Sequence, residues 1–178
     1  DTILGPEMRS TGEVMGIDRS FGLAFAKSQA GAGSPLPDGG TVFFSLADRD
    51  KPAGLRAARR FQELGFAIAA TTGTAAMLRA DGIEVATVVA KVGADDGVDA
   101  VELLDSGAVD LVVNTPRGRG PRADGMHIRR AAITNGVACL TTVSAAIAAA
   151  QGIDEQRSHR AEVGSLQHHH APAGAVGH

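Results

Sequence analysis

Residues 66–78, FAIAATTGTAAML, decide the fold. Phe66–Ala70 is a continuous apolar run of strand length, and Ala75-Ala76-Met77-Leu78 continues in good helix formers. Thr71-Thr72-Gly73-Thr74 must therefore turn a buried strand into a helix. The first N–H groups of a helix have no partner within it, and the helix dipole places partial positive charge there. The turn thus predicts an anion cradle. Backbone N–H groups and the hydroxyls of Thr71 and Thr74 supply donors, and Gly73 lets the backbone come close. Lys51 upstream and Lys91 downstream add charge. This is a phosphate site without a Walker-type loop.

The same alternation of strand and helix runs outward from this unit. Strands are predicted at Thr41–Leu46, Phe66–Ala70, Glu84–Val89, Leu111–Asn114 and Val137–Leu140. Helices are predicted at Pro52–Leu64, Ala75–Ala80, Val98–Asp105, Asp124–Asn135 and Thr142–Ala150. Leu55, Ala58, Phe61 and Leu64 share one face of the first, and Val101 and Leu104 turn inward from the third. This pattern predicts an α/β fold, a doubly wound five-stranded parallel sheet flanked by helices. Ligands on such sheets sit beyond the carboxyl ends of the strands. Ser45, Thr71, Lys91, Asn114 and Thr141 all fall at or just past those ends, so one rim gathers them. Upstream, a helical pattern ends near Ala30, and Gly31–Gly40 (GAGSPLPDGG) has linker composition. The fold proper is read as residues 41–160, and residues 161–178, with their histidine run, as a disordered tail.

Composition narrows the classes. The chain has 178 residues and is 44% hydrophobic, enough for one core of ordinary size with extra segments. A net charge of −3 gives no global drive toward nucleic acid or an anionic membrane, so neither is expected as a partner and anion binding must be local. The single cysteine, Cys139, forms no internal disulfide and fits a reducing cytoplasm, the compartment expected here. No apolar run approaches the roughly 20 residues that span a bilayer, and no secretory signal is visible. The chain starts at Asp1 rather than methionine, which reads as an excised piece or a processed product.

Each site residue has a plainer role to weigh. Asp50-Lys51-Pro52 is a helix start, with Asp50 as N-cap and Pro52 in the first turn. Lys51 there opposes the helix dipole unless an anion binds beside it, or else it bends into solvent. Thr71 or Thr72 could simply cap the next helix, and Lys91 could be a solvated charge at a strand end. The loop Asn114-Thr115-Pro116-Arg117-Gly118-Arg119-Gly120-Pro121-Arg122 reads either as a lid over a nucleotide or as a mobile basic loop. In the first reading Asn114 and Thr115 bond the ligand and Asp124 accepts from ribose hydroxyls; in the second Asp124 is an ordinary N-cap. Asp95-Asp96 is better read as a turn or cap than as an acid/base pair. His168–His170 lack the carboxylate or cysteine partners of a metal site, so no metal is expected. No catalytic residue is assigned.

A family resemblance rests on Glu7-Met8-Arg9-Ser10-Thr11-Gly12-Glu13-Val14-Met15-Gly16, followed by Phe21 and by Ala24-Phe25-Ala26-Lys27-Ser28-Gln29. These segments strongly resemble carbamoyl-phosphate synthase large chains, where they close the second ATP-grasp half just before the C-terminal regulatory domain. Residues 1–30 then correspond to a remnant of that half, 31–40 to a linker, and 41–160 to the regulatory domain, which is similar in fold to methylglyoxal synthase. The resemblance implies a domain that binds UMP as feedback inhibitor, with IMP as a weak effector. It implies Lys51, Thr71, Thr74 and Lys91 on the phosphate, and Ser45, Asn114, Thr115 and Asp124 around ribose and base. Thr141 matches a position near the ornithine site of relatives activated by that amino acid. Pro116 stands where the family often has threonine, which removes a hydroxyl and an N–H near the base and leaves ligand choice open. Thr72 replaces a frequent histidine and leaves the phosphate donors in place.

What the resemblance further implies concerns the parent protein. That parent is a glutamine-dependent ATP ligase of pyrimidine and arginine biosynthesis, using ATP with Mg or Mn and K, whose other parts are the rest of the large chain and a glutaminase small subunit. This piece is expected to need no cofactor and to be non-catalytic by itself. The enzyme alternative is a stand-alone methylglyoxal synthase acting on dihydroxyacetone phosphate, with Asp96 as one acid/base group. No histidine in the 114–122 loop supplies the second group, and the Glu7–Gly16 motif would have no place. The same motif counts against an inosinate-cyclohydrolase-type domain.

Overall fold

Strands β1 (Thr41–Ser45), β2 (Ala67–Thr71), β3 (Thr87–Val89), β4 (Leu111–Asn114) and β5 (Ala138–Leu140) form one parallel sheet in the order β3-β2-β1-β4-β5. A computed structural model describes residues 14–90, 99–115 and 123–159, with 164, 165 and 167, while the side chains of residues 123 and 124 fall outside the description. Lys91, Asp95, Asp96, the loop from Pro116 to Arg122, the side chain of Asp124, the start of the Glu7–Gly16 motif and His168–His170 therefore lie outside the described residues.

The helices are α1 (Phe21–Gly31), α2 (Lys51–Glu63), α3 (Thr72–Ala80), α4 (Ala100–Asp105), α5 (Ala123–Thr134) and α6 (Val143–Ser158). Parallel strands need crossovers, and β1-α2-β2 and β2-α3-β3 lie on one face while α4 and α5 lie on the other. Strand periodicity explains the division. Val42, Phe44, Ile68, Ala70, Leu111 and Val113 point toward α2, α3 and α6, joined by Phe61 and Leu78. Phe43, Ala69, Val89 and Val112 point toward α4 and α5, joined by Leu104 and Ile128. With both faces covered, strands such as Val42-Phe43-Phe44 are apolar throughout rather than alternating. The aromatic centre is small: Phe61 stands edge-on to Phe44 and to Phe66 at centroid distances of 6.1 and 5.5 Å.

Several boundaries differ from those read in the sequence. The helix after β2 begins at Thr72 rather than Ala75, because Thr71 already has the extended N-cap conformation. Strand β3 shrinks to Thr87–Val89, an edge strand that, among the described residues, pairs with β2 alone of the strands. Helix α6 continues to Ser158, well past Ala150, because Gly152 and Ile153 are buried against α1 and the core. Asp50 is corrected as a side-chain cap. It holds the N-cap position of α2, as read, but with a helical backbone and no side-chain cap bond, because a 3-10 turn at Asp48–Asp50 runs directly into α2.

Helix α1 packs on α6 through small residues. A Cβ at Gly152 would stand 2.6 Å from the Gly22 carbonyl and 3.2 Å from the Ala26 Cβ, so the two backbones meet where side chains are absent. The Ser20 hydroxyl caps α1, accepting from Leu23 N at 3.2 Å, and it donates to the Glu155 carboxylate. That hydrogen bond, with a second from Gln151, holds the Glu155 carboxyl below its ordinary value; Lys27 does the same for Asp18 at 2.7 Å. The irregular 31–40 segment is tied down by Arg157, which donates to the Asp38 carbonyl and, at 2.7 Å, to Leu64 O, with its guanidinium 5.6 Å from the Phe66 ring centre.

Candidate functional site

The strand order reverses between β1 and β4, and the crevice at the carboxyl ends of those two strands is where such sheets take ligands. Ser45 and Asn114 close the two strands side by side, and Thr115 N donates to Ser45 O at 3.0 Å. Beyond Ser45 the chain must leave the sheet and enter α2, which exposes two consecutive amides to the interior. Each finds a threonine. Leu46 N donates to Thr74 Oγ1 at 3.1 Å, and Ala47 N donates to Thr115 Oγ1 at 2.8 Å. Thr74 is 0% exposed and Thr115 4%, so both hydroxyls serve the interior. One comes from the helix after β2 and the other from the end of β4. The corner at Leu46-Ala47 thereby joins the two halves of the rim.

The turn at the start of α3 is built differently from an ordinary cap. Thr71 is the N-cap residue yet makes no side-chain cap bond; its hydroxyl instead donates to Thr74 Oγ1 at 3.1 Å. Thr72 turns away to donate to Val89 O at 3.3 Å, tying α3 to the edge strand. Neither threonine covers the first-turn N–H groups, and Thr72 and Gly73 are exposed. Lys51, on the first position of α2, reaches over this turn: among the described residues outside that turn, its Nζ, at 3.8 Å, is what a Cβ at Gly73 would meet. The lysine is 23% exposed and pairs with Asp48 Oδ1 at 2.7 Å. Lys51, Thr71, Gly73 and Thr74 therefore come together around the start of one helix.

The second cluster lies across the crevice. Asn114 is 2% exposed, and its Nδ2 donates to Gly125 O in the first turn of α5 at 2.9 Å. A Cβ at Gly125 would stand 3.3 Å from Arg129 Nη1 and 3.6 Å from Asn114 Nδ2, so this glycine keeps three groups in close approach. Ser45 is half-buried at the mouth. Asp124 is in α5, and Lys91 follows the edge bridge Ala90–Asp99 outside the described residues. Thr141 is exposed just past β5, on the same rim but separated from β1 by the whole of β4. Its neighbour Thr142 is spent on capping α6, accepting from Ala145 N at 3.1 Å.

Sequence reasoning missed Asp48, Gly125, Arg129 and the paired amides of Leu46 and Ala47. Asp48 was legible as the i−3 neighbour of Lys51. The others depend on which strands adjoin, which no local pattern states. Burial pushes the Cys139 thiol up to about 11, away from the thiolate form that a nucleophile needs. Among the described residues, no group of three or more His, Cys, Asp or Glu converges to hold a metal ion, and no helix is long and apolar enough to cross a membrane. What the rim offers chemically is donors and positive charge.

Residues 54–141 match the family model of the MGS-like domain. The chain carries an MGS-like domain. The matched span contains β2, the α3 turn, β3, β4 and β5, and the five-stranded parallel sheet of the chain, completed by β1 and covered by helices on both faces, agrees with that fold. The chain as a whole is similar to the carbamoyl phosphate synthase large chain of Rubrobacter xylanophilus, with 53% identity over 168 residues and 94% of this chain. The large chains of Streptomyces avermitilis and Micrococcus luteus are 53% and 51% identical over 95% and 96% of this chain. In each case the chain spans 16% of the relative's length. Similarity thus extends beyond the MGS-like domain to include α1 and the segments flanking it.

Proposed function

We propose that this MGS-like domain is the regulatory nucleotide-binding portion of a glutamine-dependent carbamoyl-phosphate synthase large subunit. In this reading it binds UMP as feedback inhibitor of pyrimidine and arginine biosynthesis, with IMP as a weaker effector. The observation that carries the reading is 53% identity to a carbamoyl phosphate synthase large chain over 94% of this chain. The geometry agrees with it. Lys51 beside the first turn of α3, which no threonine side chain caps, places an ammonium group and helix N–H groups where a phosphate dianion could bind. Thr71 supplies a hydroxyl at the edge of that turn, and Lys91 is assigned to the same ester group. Ser45, Asn114, Thr115 and Asp124 are assigned to ribose and base, and Thr141, on the far side of β4, to an ornithine-side contact.

The role is regulatory rather than catalytic. The effector acts by shifting the conformational balance of the remainder of the large chain, whose ATP chemistry (with Mg or Mn and K) and glutaminase small subunit belong to the parent assembly. Such coupling is typically about 1–3 kcal/mol and acts in both directions, so synthetase ligands must alter effector affinity. The test is thermal melting of the chain with a nucleotide panel. UMP at ten times its Kd stabilises by about 1.4 kcal/mol, a rise of roughly 3–6 °C for a chain of this size. Lys51→Ala should reduce the rise. Absence of UMP and IMP binding at millimolar concentration rejects the reading, and turnover of dihydroxyacetone phosphate would replace it with a synthase.

A further inference from the structure

We infer that Arg129 and Asn114 together read the base of the nucleotide and select bases with a lactam edge. Arg129 Nη1 donates to a ring carbonyl, and Asn114 Oδ1 accepts from the adjacent ring N–H. This rests on the nucleotide-binding reading above and names a specificity residue for that same site. Asn114 is 2% exposed, and its amide is oriented by the bond from Nδ2 to Gly125 O at 2.9 Å. The oxygen is the unused end: among the described residues, no donor reaches Oδ1. Every buried side-chain nitrogen or oxygen among them has a partner, so an Oδ1 without one is open to solvent. It adds one acceptor to a rim otherwise made of donors. Arg129, one helical turn after Gly125, is half-buried, and among the described residues no acceptor bonds its guanidinium. That group has given up part of its hydration with no acceptor in return. The two meet at Gly125. A Cβ there would stand 3.3 Å from Arg129 Nη1 and 3.8 Å from Asn114 Oδ1. Glycine leaves that space open to the flat edge of a ring, and any side chain would fill it.

A fixed acceptor beside a planar donor is complementary to a donor beside an acceptor. Uracil carries that pair at its ring N–H and neighbouring carbonyl, and hypoxanthine and guanine carry it too. Cytosine and adenine instead carry an unprotonated ring nitrogen beside an exocyclic amine. Their ring nitrogen would face Oδ1 and their amine would face the guanidinium, setting acceptor against acceptor and donor against donor. The Asn114 amide cannot turn over to suit them, because its oxygen would then face the Gly125 carbonyl. Polar groups left unpaired in this way are what let a hydrogen-bonding site reject the wrong ligand.

The experiment is calorimetric titration of the 178-residue chain with UMP, CMP and ribose 5-phosphate. Wild type is compared with Arg129→Ala, Arg129→Lys and Arg130→Ala, the last removing the same charge from the next, exposed position. Loss of a hydrogen bond from a charged donor converts to roughly 13- to 160-fold in affinity, and the part-exposed Arg129 belongs near the lower figure. UMP should therefore bind wild type about tenfold tighter than CMP. Arg129→Ala should lose about that factor for UMP, keep its affinity for ribose 5-phosphate, and bind UMP and CMP alike. Arg129→Lys keeps the charge without the planar fork, so it should recover little of the preference, and it carries the test if the alanine variant does not fold. Arg130→Ala should match wild type. Three results overturn the inference while leaving the nucleotide site standing: equal affinity of wild type for UMP and CMP, an Arg129 variant whose UMP affinity is unchanged or falls in step with ribose 5-phosphate, or the same loss from Arg130→Ala. Folded wild type that binds neither UMP nor ribose 5-phosphate overturns the site itself and the inference with it.

Discussion

Thr74→Val tests whether the corner at Leu46-Ala47 is held as described. The substitution keeps the branched shape and nearly the same volume, so packing in a site 0% exposed changes little. What it removes is the acceptor of Leu46 N at 3.1 Å and the partner of the Thr71 hydroxyl, also at 3.1 Å. The Leu46 amide has no route to water, because Leu46 is itself 0% exposed. A buried donor left without a partner costs about 1–3 kcal/mol. For a chain of this length that lowers the melting temperature by roughly 2–12 °C. Urea unfolding should show the same loss as a lower midpoint with unchanged m-value, since the native surface is the same. Thr115→Val should repeat the effect through the Ala47 amide, whose bond is 2.8 Å. Because the two amides are adjacent in one corner, the double variant should lose less than the sum of the singles. A Thr74→Val variant within about 0.5 kcal/mol of wild type would refute the clamp.

Gly73→Ala should move stability and binding in opposite directions. It gains about 0.5–1 kcal/mol of helix propensity at a position where, among the described residues outside its own turn, the added methyl meets Lys51 Nζ at 3.8 Å, yet that methyl would occupy the space proposed for the ligand, so UMP-induced stabilisation should fall. Lower stability, or undiminished nucleotide response, counts against the cradle geometry. Acid should loosen α1 before the sheet. Hydrogen bonds from Ser20 and Lys27 depress the Glu155 and Asp18 carboxyls in the folded chain, so their contribution is complete above the unfolded values near 4 and is lost as pH falls through the lowered ones. Hydrogen exchange should show amide protection of 21–31 declining below about pH 4 while β1 stays protected, with Glu155→Gln already less protected at neutral pH. Equal pH response of α1 and β1 would exclude this.

The sheet was legible because its strands are buried on both faces. Runs such as VFF and LVV have no polar interruption, and the helices between the strands present apolar residues to them. The winding order 3-2-1-4-5 was not stated by any one segment, but alternation of strand and helix together with right-handed crossovers leaves few alternatives. The rim was legible for the same reason: residues just past strand ends in a parallel sheet must share an edge. Local bonding was not. Thr71 looked like a cap, yet its hydroxyl serves Thr74, because Thr74 already accepts the Leu46 amide and has a lone pair to spare. Asp50 looked like a cap, yet the 3-10 turn removes the need for one. The threonine bonding depends on what β1 requires at its exit, information that lies 28 residues away in sequence from Thr74 and 68 from Thr115.

That dependence gives the rim a mechanical property as well as a chemical one. The two buried threonines that hold Leu46 and Ala47 belong to different halves of the rim, Thr74 to the α3 turn proposed for phosphate and Thr115 to the side around Asn114. The segment they hold leads within a few residues to Asp48 and Lys51, and thence into α2, which packs in the same core as α6. Arg60 of α2 reaches Asp154 of α6 at 2.7 Å, and Gly152 and Glu155 of α6 touch α1. A displacement of the corner by a bound ligand would therefore be delivered along rigid elements to α1, without any flexible loop in the path. Packed interfaces of this kind switch between discrete arrangements rather than deforming smoothly. Such a path becomes a mechanism only where both ends bias one equilibrium, and the close Gly22–Gly152 crossing is the place to look. Gly152→Ala would force α1 off α6, and if that path carries the coupling, nucleotide affinity must change even though residue 152 is remote from the rim.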